Sequence, residues 1–127
     1  MYENLQILQR SISMAQHAGA RQAITAVNMA NADTPGFRAQ QIAPFSESFD
    51  AASGATQRTT RMGHLTRSDV VNGMQVTTSD AEPAPNGNSV SIELEMVRAV
   101  EIQREHDRAL TIYKHSLDLL RTSLGRR

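Results

Sequence analysis

The side chains able to bind a metal ion or transfer protons are scattered along this sequence without the spacing that such sites need. The histidines His17, His64, His106 and His115 form no H-x-x-x-H pair and no zinc-type histidine–carboxylate pair. There is no cysteine, so thiolate ligands, cysteine nucleophiles and disulfides are excluded. The G-x-S-x-G, phosphate-loop and G-x-G-x-x-G patterns are also absent. We therefore expect no catalytic residue, metal, cofactor or small-molecule substrate.

The charge balance argues against a nucleic-acid-binding protein. Lys plus Arg and Asp plus Glu number 13 each, so there is no basic excess to neutralise a phosphate backbone. No apolar run reaches the roughly 18 to 20 residues of a membrane span. The first residues carry no basic n-region followed by an apolar h-region. We therefore expect no nucleic-acid partner and no cleaved signal peptide.

The chemistry that the sequence does offer is amide hydrogen bonding at one helix end, in the segment NMANADTPGFR at 28–38. Small side chains let helices approach closely, and asparagine amides supply hydrogen bonds on a shared surface. Pro35 disfavours the α region at Thr34, and Pro35-Gly36 fits the centre of a type II turn. The segment indicates a helix end shaped for contact with neighbouring chains. The alternative is a polar helix end that leads into an ordinary turn.

Two long helices are predicted on either side of a middle that lacks helical periodicity. In both, one face repeats at alternating intervals of three and four residues. The N-terminal stripe comprises Leu5, Leu8, Ile12, Ala15, Gly19, Gln22, Ala26 and Met29, with Ala23, Val27 and Ala30 on an adjacent face. The C-terminal stripe comprises Met96, Ala99, Gln103, His106, Leu110, Tyr113, Leu117, Leu120 and Leu124.

The sequence thus predicts a mainly α protein whose long N- and C-terminal helices pack as an antiparallel, coiled-coil-like pair. Its parts form one domain: an N-terminal helix (1–34), an irregular or partly disordered middle (35–88) and a C-terminal helix (89–127). Ser91 suits the N-cap of the last helix, and Gly125 suits its end. In the middle, HLTRSDVV and MQVTTS can pair as a short β-hairpin about Asn72-Gly73.

If the helices pair through their stripes, the polar interruptions of both stripes fall at similar heights. Gly19 and Gln22 then lie near Gln103 and His106, which predicts a buried or half-buried polar layer that fixes the register. Such a pair rarely offsets the backbone ordering cost of about 1 to 2 kcal/mol per residue. We therefore expect a marginally stable chain whose stripes gain burial only against neighbouring chains.

The residues at the end of the first helix resemble a known signature. Flagellar basal-body rod and hook-family proteins carry Asn-x-Ala-Asn-x-x-Thr-Pro-Gly-aromatic at this place. The matching residues here are Asn28, Ala30, Asn31, Thr34, Pro35, Gly36 and Phe37. Asp33, Arg38 and the run NGNSVSIELEM look like the proximal-rod member of the family. Gln40-Gln41 depart from the Arg-Asp expected there, and Ser91 departs from the common Asp.

The resemblance implies a structural subunit of the bacterial flagellar basal body, in the periplasmic rod, whose terminal helices assemble into a helical tubular array that transmits torque. The implied partners are other copies of the chain, other flagellar rod proteins, the rod adaptor protein with the MS ring, and the flagellar type III export apparatus. Export by that route would need no cleaved signal peptide. The residues expected to carry assembly are Leu8, Ile12, Ala23, Val27, Asn28, Ala30, Asn31, Thr34, Pro35, Gly36, Phe37, Leu110, Tyr113, Leu117, Leu120 and Leu124.

Two alternatives to a proximal-rod subunit remain at this point. One is a soluble helical adaptor or chaperone that binds a partner helix through the leucine stripe. The other is a different rod member. The asparagine-rich helix end with Thr-Pro-Gly-Phe favours the rod, because an adaptor needs only the stripe.

Overall fold

Two long helices and a small two-stranded sheet make up the protein in a computed structural model, which describes residues 2–48 and 74–125 and, for residues 2–4, the backbone alone. In chain order the elements are α1 (Tyr2–Ala30), β1 (Gln40–Ile42), β2 (Val76–Thr78) and α2 (Ile92–Leu124). Residues 45–48 are also helical. Within these ranges no helix is both long enough and apolar enough to cross a membrane. The mainly helical fold with long terminal helices agrees with the prediction.

Helix α1 ends slightly earlier than the proline signal alone indicates. The helix stops at Ala30, and residues 31–33 continue as turns in which Asn31 N–H still donates to Val27 O at 3.2 Å. The predicted type II turn follows, because Phe37 N–H donates to Thr34 O at 3.3 Å and Gly36 has a φ of 74°. The Thr-Pro-Gly run therefore forms the turn that its residue types require.

Helix α2 begins and ends at the predicted residues. Ser91 occupies the N-cap with extended backbone, although its hydroxyl donates to the Glu93 carboxylate at 3.2 Å and accepts no capping hydrogen bond from a backbone N–H of the first turn. Glu93 and Glu95 lie in the first turn, near the positive end of the helix dipole. At the other end, Gly125 N–H donates to Arg121 O at 2.7 Å.

The two helices pack antiparallel, but the predicted phase of their interface is wrong. Asn28 contacts Glu95, whereas Arg21, earlier on α1, contacts Glu105, later on α2. The buried residues of the helix interface recur at intervals of seven, one position before the predicted stripes. They are Ser11, Ala18 and Thr25 on α1 and Glu95, Ile102, Ala109 and Ser116 on α2. The coiled-coil period is therefore present, rotated by one residue.

The polar side chains explain this rotation. Buried polar groups need hydrogen-bond partners, and leaving one without a partner costs about 1–3 kcal/mol. In the observed phase Asn28 reaches Glu95, and Arg21 reaches Glu105. Pairing the large apolar residues would turn these groups away from each other. The spacing of apolar residues contains no information about these polar contacts. A prediction from that spacing therefore places the interface one residue further along each helix than it is.

The predicted polar layer is wrong for the same reason. Gly19, Gln22 and Gln103 are exposed, and His106 is half-buried. An ion pair crosses the interface at this height, with Arg21 Nη1 2.5 Å from Glu105 Oε2 and side chains 14% and 38% exposed. Both members precede a predicted layer residue by one position. A polar contact does span the helices here, in the rotated phase.

The sheet contains one strand of the predicted hairpin, paired with a strand that the sequence did not predict. Strand β2 lies within MQVTTS, but it pairs antiparallel with β1, with Gln40 opposite Thr78 and Ile42 opposite Val76. The other half of the predicted hairpin, 64–71, lies outside the described residues. The pairing follows from a contact that the sequence does not announce, because the Asn28 side chain holds Gln40 against α1.

The sheet lies on one side of the helix pair, which leaves the stripes on the other. At 3.6 residues per turn, the residues three and four positions after a buried residue point about 60° and 40° to opposite sides of it. Asn28 and Arg21 are three after Thr25 and Ala18, and they face β1 and Glu105. The residues four positions after buried ones face away from the sheet. They are Ala15, Gln22 and Met29 on α1 and Ala99, His106 and Tyr113 on α2, all members of the predicted stripes.

We call this sheet-free side the open groove; it is lined by the two stripes defined above. Because the helices run antiparallel, their four-after positions lie on the same side, as the shared sheet side of Arg21 and Glu105 requires. Large residues along the open groove stay exposed, among them Leu5, Ile12, Met96 and Leu110. The helix pair therefore buries small and polar residues between its members and leaves its apolar stripes uncovered.

Replacing Gly87 with alanine should weaken the loop that packs on the end of α1. Gly87 has a φ of 79°, and an added Cβ would lie 3.3 Å from the Gly36 Cα. We expect a loss of roughly 1–2 kcal/mol from the left-handed backbone alone, seen as faster hydrogen exchange of the Gly36 and Ser89 amides. Gly19→Ala is the matched control, because an added Cβ there meets nothing within 4 Å. Equal exchange in both variants would contradict this account.

Candidate functional site

The matched signature folds into a hydrogen-bonded unit at the end of the helix pair where α1 stops and α2 begins. We call this unit the clasp; it comprises residues 28–40 and 86–95. It contains the end of α1, the Thr-Pro-Gly turn, the start of β1, the loop after β2 and the first turn of α2. Three segments, belonging to α1, β1 and α2, therefore meet in it.

Asn28 joins all three segments through one side-chain amide. Its Nδ2 donates to Gln40 O at 2.7 Å, and its Oδ1 accepts from Gln40 N–H at 3.0 Å, so the amide pairs with β1 much as a strand backbone would. The same Nδ2 lies 3.2 Å from Glu95 Oε2 on α2. Asn28 is only 1% exposed. Each of these contacts replaces water that the buried amide has lost.

Glu95 is a buried carboxylate that needs more than the contact with Asn28. It is 2% exposed, and its Oε1 accepts from Arg98 Nη1 at 2.5 Å. The charged pair keeps the carboxylate compensated, since an unpaired buried charge costs several kcal/mol. Its position in the first turn of α2 also places negative charge near the positive helix end.

Asn88 closes the C-terminal end of α1 from the opposite segment. Its Nδ2 donates towards three carbonyls, those of Asn31 at 2.9 Å, Ala32 at 2.7 Å and Thr34 at 2.9 Å. These carbonyls lie in the turn that follows α1, beyond the regular hydrogen-bond pattern of the helix, and the side-chain donor ties this turn to the loop before α2. Its Oδ1 meanwhile accepts from Val90 N–H at 2.7 Å, just before α2. Asn88 thus links the end of one helix to the start of the other.

Backbone contacts complete the clasp and explain its glycines. Gly36 N–H donates to Asn86 O at 3.0 Å, and Ser89 N–H donates to Phe37 O at 3.1 Å. Ser89 Oγ accepts from Ala39 N–H at 2.8 Å. The two loops therefore run against each other through main-chain groups, at a distance that the absent side chain of Gly87 permits.

The remaining signature residues act locally or face outward. Asn31 Nδ2 donates to Val27 O at 2.8 Å, and its Oδ1 accepts from the Thr34 hydroxyl at 3.2 Å. Pro35 is exposed, and Phe37 is half-buried. The turn of the clasp therefore faces outward, while its asparagine amides form hydrogen bonds within the chain.

A buried histidine lies one turn before Arg21 in α1, on the sheet side of the helix. His17 is 1% exposed, its ring packs edge-on against Phe45 at 5.5 Å, and its Nε2 lies 3.4 Å from Ser48 Oγ. Burial lowers the pKa of His17 and the Arg21 guanidinium lowers it further, while Glu105 and the Ala43 backbone raise it. Although Ala43 is near, no group of the described residues meets hydrogen-bond geometry at Nδ1. The neutral ring is therefore the favoured form.

A cavity of about 290 Å³ lies between the helices and the sheet. Isoleucine side chains from α1, β1 and α2 contribute its apolar part, and Arg21, Glu95 and Arg98 contribute charged walls. The two arginines already pair with Glu105 and Glu95. In the part of the chain that the structure describes, no three His, Asp or Glu side chains are grouped closely enough to hold a metal ion. The arrangement is thus one of internal ion pairs.

The structure divides the predicted assembly residues into three groups. The signature residues from Asn28 to Phe37 come together in the clasp. The adjacent-face residues Ala23, Val27 and Ala30 are exposed on α1. The stripe residues Leu8, Ile12, Leu110, Tyr113, Leu117, Leu120 and Leu124 are half-buried or exposed. Their roles in contacts between chains stay predictions.

Sequence reasoning missed the partners on which the clasp depends. Asn88, Ser89 and Glu95 lie within NGNSVSIELEM, which was noted only for its resemblance to the rod family. Gln40 departs from the expected residue, yet it contributes backbone groups to Asn28, which any side chain would allow. A signal for Asn88 did exist, since a second asparagine-rich turn before the last helix mirrors the one that ends α1.

Comparison with known proteins identifies relatives of the chain. Residues 9–38, most of α1 together with its clasp turn, match the family model described as "Flagella basal body rod protein". The chain is also 29% identical over 115 residues to the flagellar basal body rod protein FlgB of Agrobacterium fabrum (strain C58), which covers 87% of this chain and 86% of that protein. The similarity therefore extends over both terminal helices.

Replacing Asn88 should open the clasp. Asn88→Ala removes a side-chain donor that three carbonyls of the turn after α1 share, and we expect a loss of about 1–3 kcal/mol. Asn88→Asp should be worse, because it keeps the acceptor for Val90 N–H but turns a carboxylate towards those carbonyls. Chemical denaturation followed by circular dichroism measures both effects. Glu82→Ala, at an exposed residue of the loop that precedes the clasp, is the control, and an Asp variant as stable as the parent would contradict the assignment.

The protonation of His17 should make the chain less stable in mild acid. Its pKa is lowered in the folded state, so the unfolded chain, with a pKa of about 6.5, takes up the proton first. Stability is therefore full above that value and falls as the pH drops below it. The urea midpoint between pH 7.5 and 5 should fall more steeply in the parent than in His17→Gln.

His115→Gln, at an exposed histidine on α2, is the matched control for this experiment. It should keep the slope of the parent. Parallel pH profiles for the parent and His17→Gln would show that burial of His17 has no linkage to folding.

Proposed function

We propose that the chain is a proximal subunit of the flagellar basal-body rod, whose terminal helices assemble with those of its neighbours into a helical tubular array. It is a structural subunit of the flagellar basal-body rod, and it associates with other components of the basal body. The similarity to FlgB supports the proximal position. The periplasm is the compartment we propose for this part of the rod.

The observation that supports assembly most strongly is the uncovered apolar surface of the helix pair. Among the described residues, the buried apolar core consists of Ala18, Ala39, Ile42, Ile102 and Ala109. The exposed large apolar residues are more numerous: Leu5, Ile7, Ile12, Val27, Val76, Ile92, Leu94, Met96, Val97, Val100, Leu110, Leu119 and Leu124. Apolar surface gains roughly 25 cal/mol per Å² when it is removed from water. Neighbouring subunits are therefore the source of the burial that the single chain lacks.

A thin core also suits the proposed route to the rod. A chain with little apolar burial of its own unfolds at low cost, so it can pass through the flagellar type III export apparatus without a cleaved signal peptide. Its helices then gain burial as they join the rod, which couples folding to assembly. The rod adaptor protein and the MS ring are the proposed partners at the base, with other rod proteins and further copies of the chain above them.

The proposed array needs contacts that do not close on themselves. Heterologous contacts, in which different faces of two copies meet, generate helical filaments when their rotation does not close a ring. The open groove and the outward side of α1 are different faces of this kind. Rigid helices joined by such contacts can transmit torque along the rod. No observation favours a soluble adaptor or chaperone, which would need no clasp.

Deletion of the coding sequence tests the proposed function. We expect basal bodies that retain the MS ring but lack the rod and hook in electron micrographs, and cells that do not swim. A plasmid copy of the parent chain should restore both, which excludes an effect on neighbouring genes. Complete rods in the deletion strain would contradict a rod subunit.

The proximal position has its own test. If the chain lies at the base, the tagged protein should copurify with the MS ring and rod adaptor from a strain arrested before the distal rod forms. Recovery only from strains that complete the distal rod would identify it as a different rod member.

A further inference from the structure

We propose that the open groove is a site for a third helix, and that its occupant is α1 of a second copy of this chain. The inference rests on the proposed function, because it names the face and the partner element through which rod subunits would join. The sheet occupies the opposite side of the helix pair at the clasp end. The open groove is the side on which both stripes are left uncovered by the sheet.

The shape of the open groove fits a helix. Its two walls are parallel stripes, and its central part carries small side chains, including Ala15, Gly19 and Ala26 on α1 and Ala99 on α2. An added Cβ at Gly19 would meet nothing within 4 Å, so there is space above the helix at this point. Helix axes approach to about 8–10 Å according to the side chains between them. Small residues in the centre therefore allow a close third helix, held by larger residues such as Leu5 and Leu110 further along.

The distribution of charge identifies the occupant as α1. Between residues 11 and 30 its only Lys, Arg, Asp or Glu is Arg21, which already pairs with Glu105. Helix α2 carries eleven such residues in its 33, among them Glu101, Arg104 and Arg108 on exposed positions. Burying an unpaired charge is costly, whereas burying alanine and valine is favourable. Of the two helices, α1 is the one that can be covered on every side.

The outward side of α1 supplies the contact face. Seen down the helix, residues two and five positions after the buried ones point away from α2. They include Ser13, Gln16, Ala20, Ala23, Val27 and Ala30, which are uncharged and exposed or half-buried. One copy thus contributes the open groove, and the next copy contributes the outward side of its α1. Because the two faces differ, the contact is heterologous, and it repeats from copy to copy as a helical array when its rotation does not close a ring.

Cysteine crosslinking tests this contact directly, because the parent chain contains no cysteine. One tagged copy carries Gln103→Cys in the open groove. A second, differently tagged copy carries Gln16→Cys, Ala23→Cys or Ala30→Cys, which are seven residues, or about 10.5 Å, apart along α1. Basal bodies from cells that express both copies are treated with a short bis-maleimide. Testing three positions in turn allows for any axial offset between the copies.

We expect one of the three α1 positions to give a mixed dimer with Gln103→Cys. The matched control is Arg104→Cys, which is also exposed but points to the far side of α2. Its yield with the same α1 position should be several-fold lower. Equal yields from both α2 positions, or dimers only between two Gln103→Cys copies, would overturn the groove contact.

Two further outcomes separate this inference from the proposed function. A crosslink from Gln103→Cys to a different protein would overturn the second copy as occupant. Assembled rods that contain the tagged chain but give no Gln103→Cys adduct with any α1 position would overturn the groove while the rod function stands. Rods that lack the tagged chain altogether would overturn both.

Discussion

The structure depends on the need of one buried amide, that of Asn28 on α1, for partners on β1 and α2. Its hydrogen bonds to Gln40 bring β1 onto α1, and its contact with Glu95 sets α2 in register. Leaving the N–H or the C=O group of this side-chain amide without a partner would cost about 1–3 kcal/mol. That is a large share of the free energy of folding that so small an apolar core can provide. The phase of the helix pair therefore follows from polar satisfaction, and apolar packing accommodates it.

This phase determines what the chain presents to other molecules. Small and polar residues such as Ser11, Ala18 and Ser116 fill the interface between the helices. The apolar stripes are consequently displaced to the open groove, where only another molecule can cover them. The polar contacts therefore hold the single chain in a phase that leaves this apolar area exposed to water. For a rod subunit the same arrangement stores the driving force for assembly in the free chain.

Sequence reasoning predicted the features that local chemistry decides. Helix ends at Ser91 and Gly125 and the turn at Pro35-Gly36 follow from backbone preferences of single residues, and the seven-residue period follows from the spacing of the stripes. The predicted phase of the pair was wrong, and the pairing of β2 with β1 was not predicted. Both depend on hydrogen bonds between residues distant in sequence, such as Asn28 with Gln40 and Asn88 with Thr34. Hydrophobic periodicity has no means of detecting such pairs, although the family resemblance pointed to the segment that makes them.

Hydrogen exchange of the free chain, compared residue by residue with the chain in assembled basal bodies, tests the central claim most directly. If the apolar stripes are covered only by neighbouring subunits, amides around the clasp, such as Gly36 and Ser89, should be protected from exchange in the dilute chain. The amides of α1 and α2 outside the clasp should exchange quickly. These same amides should become protected in the basal body. Uniformly slow exchange along α1 and α2 in the dilute chain, unchanged on assembly, would contradict the claim that the stripes gain their burial from neighbouring subunits.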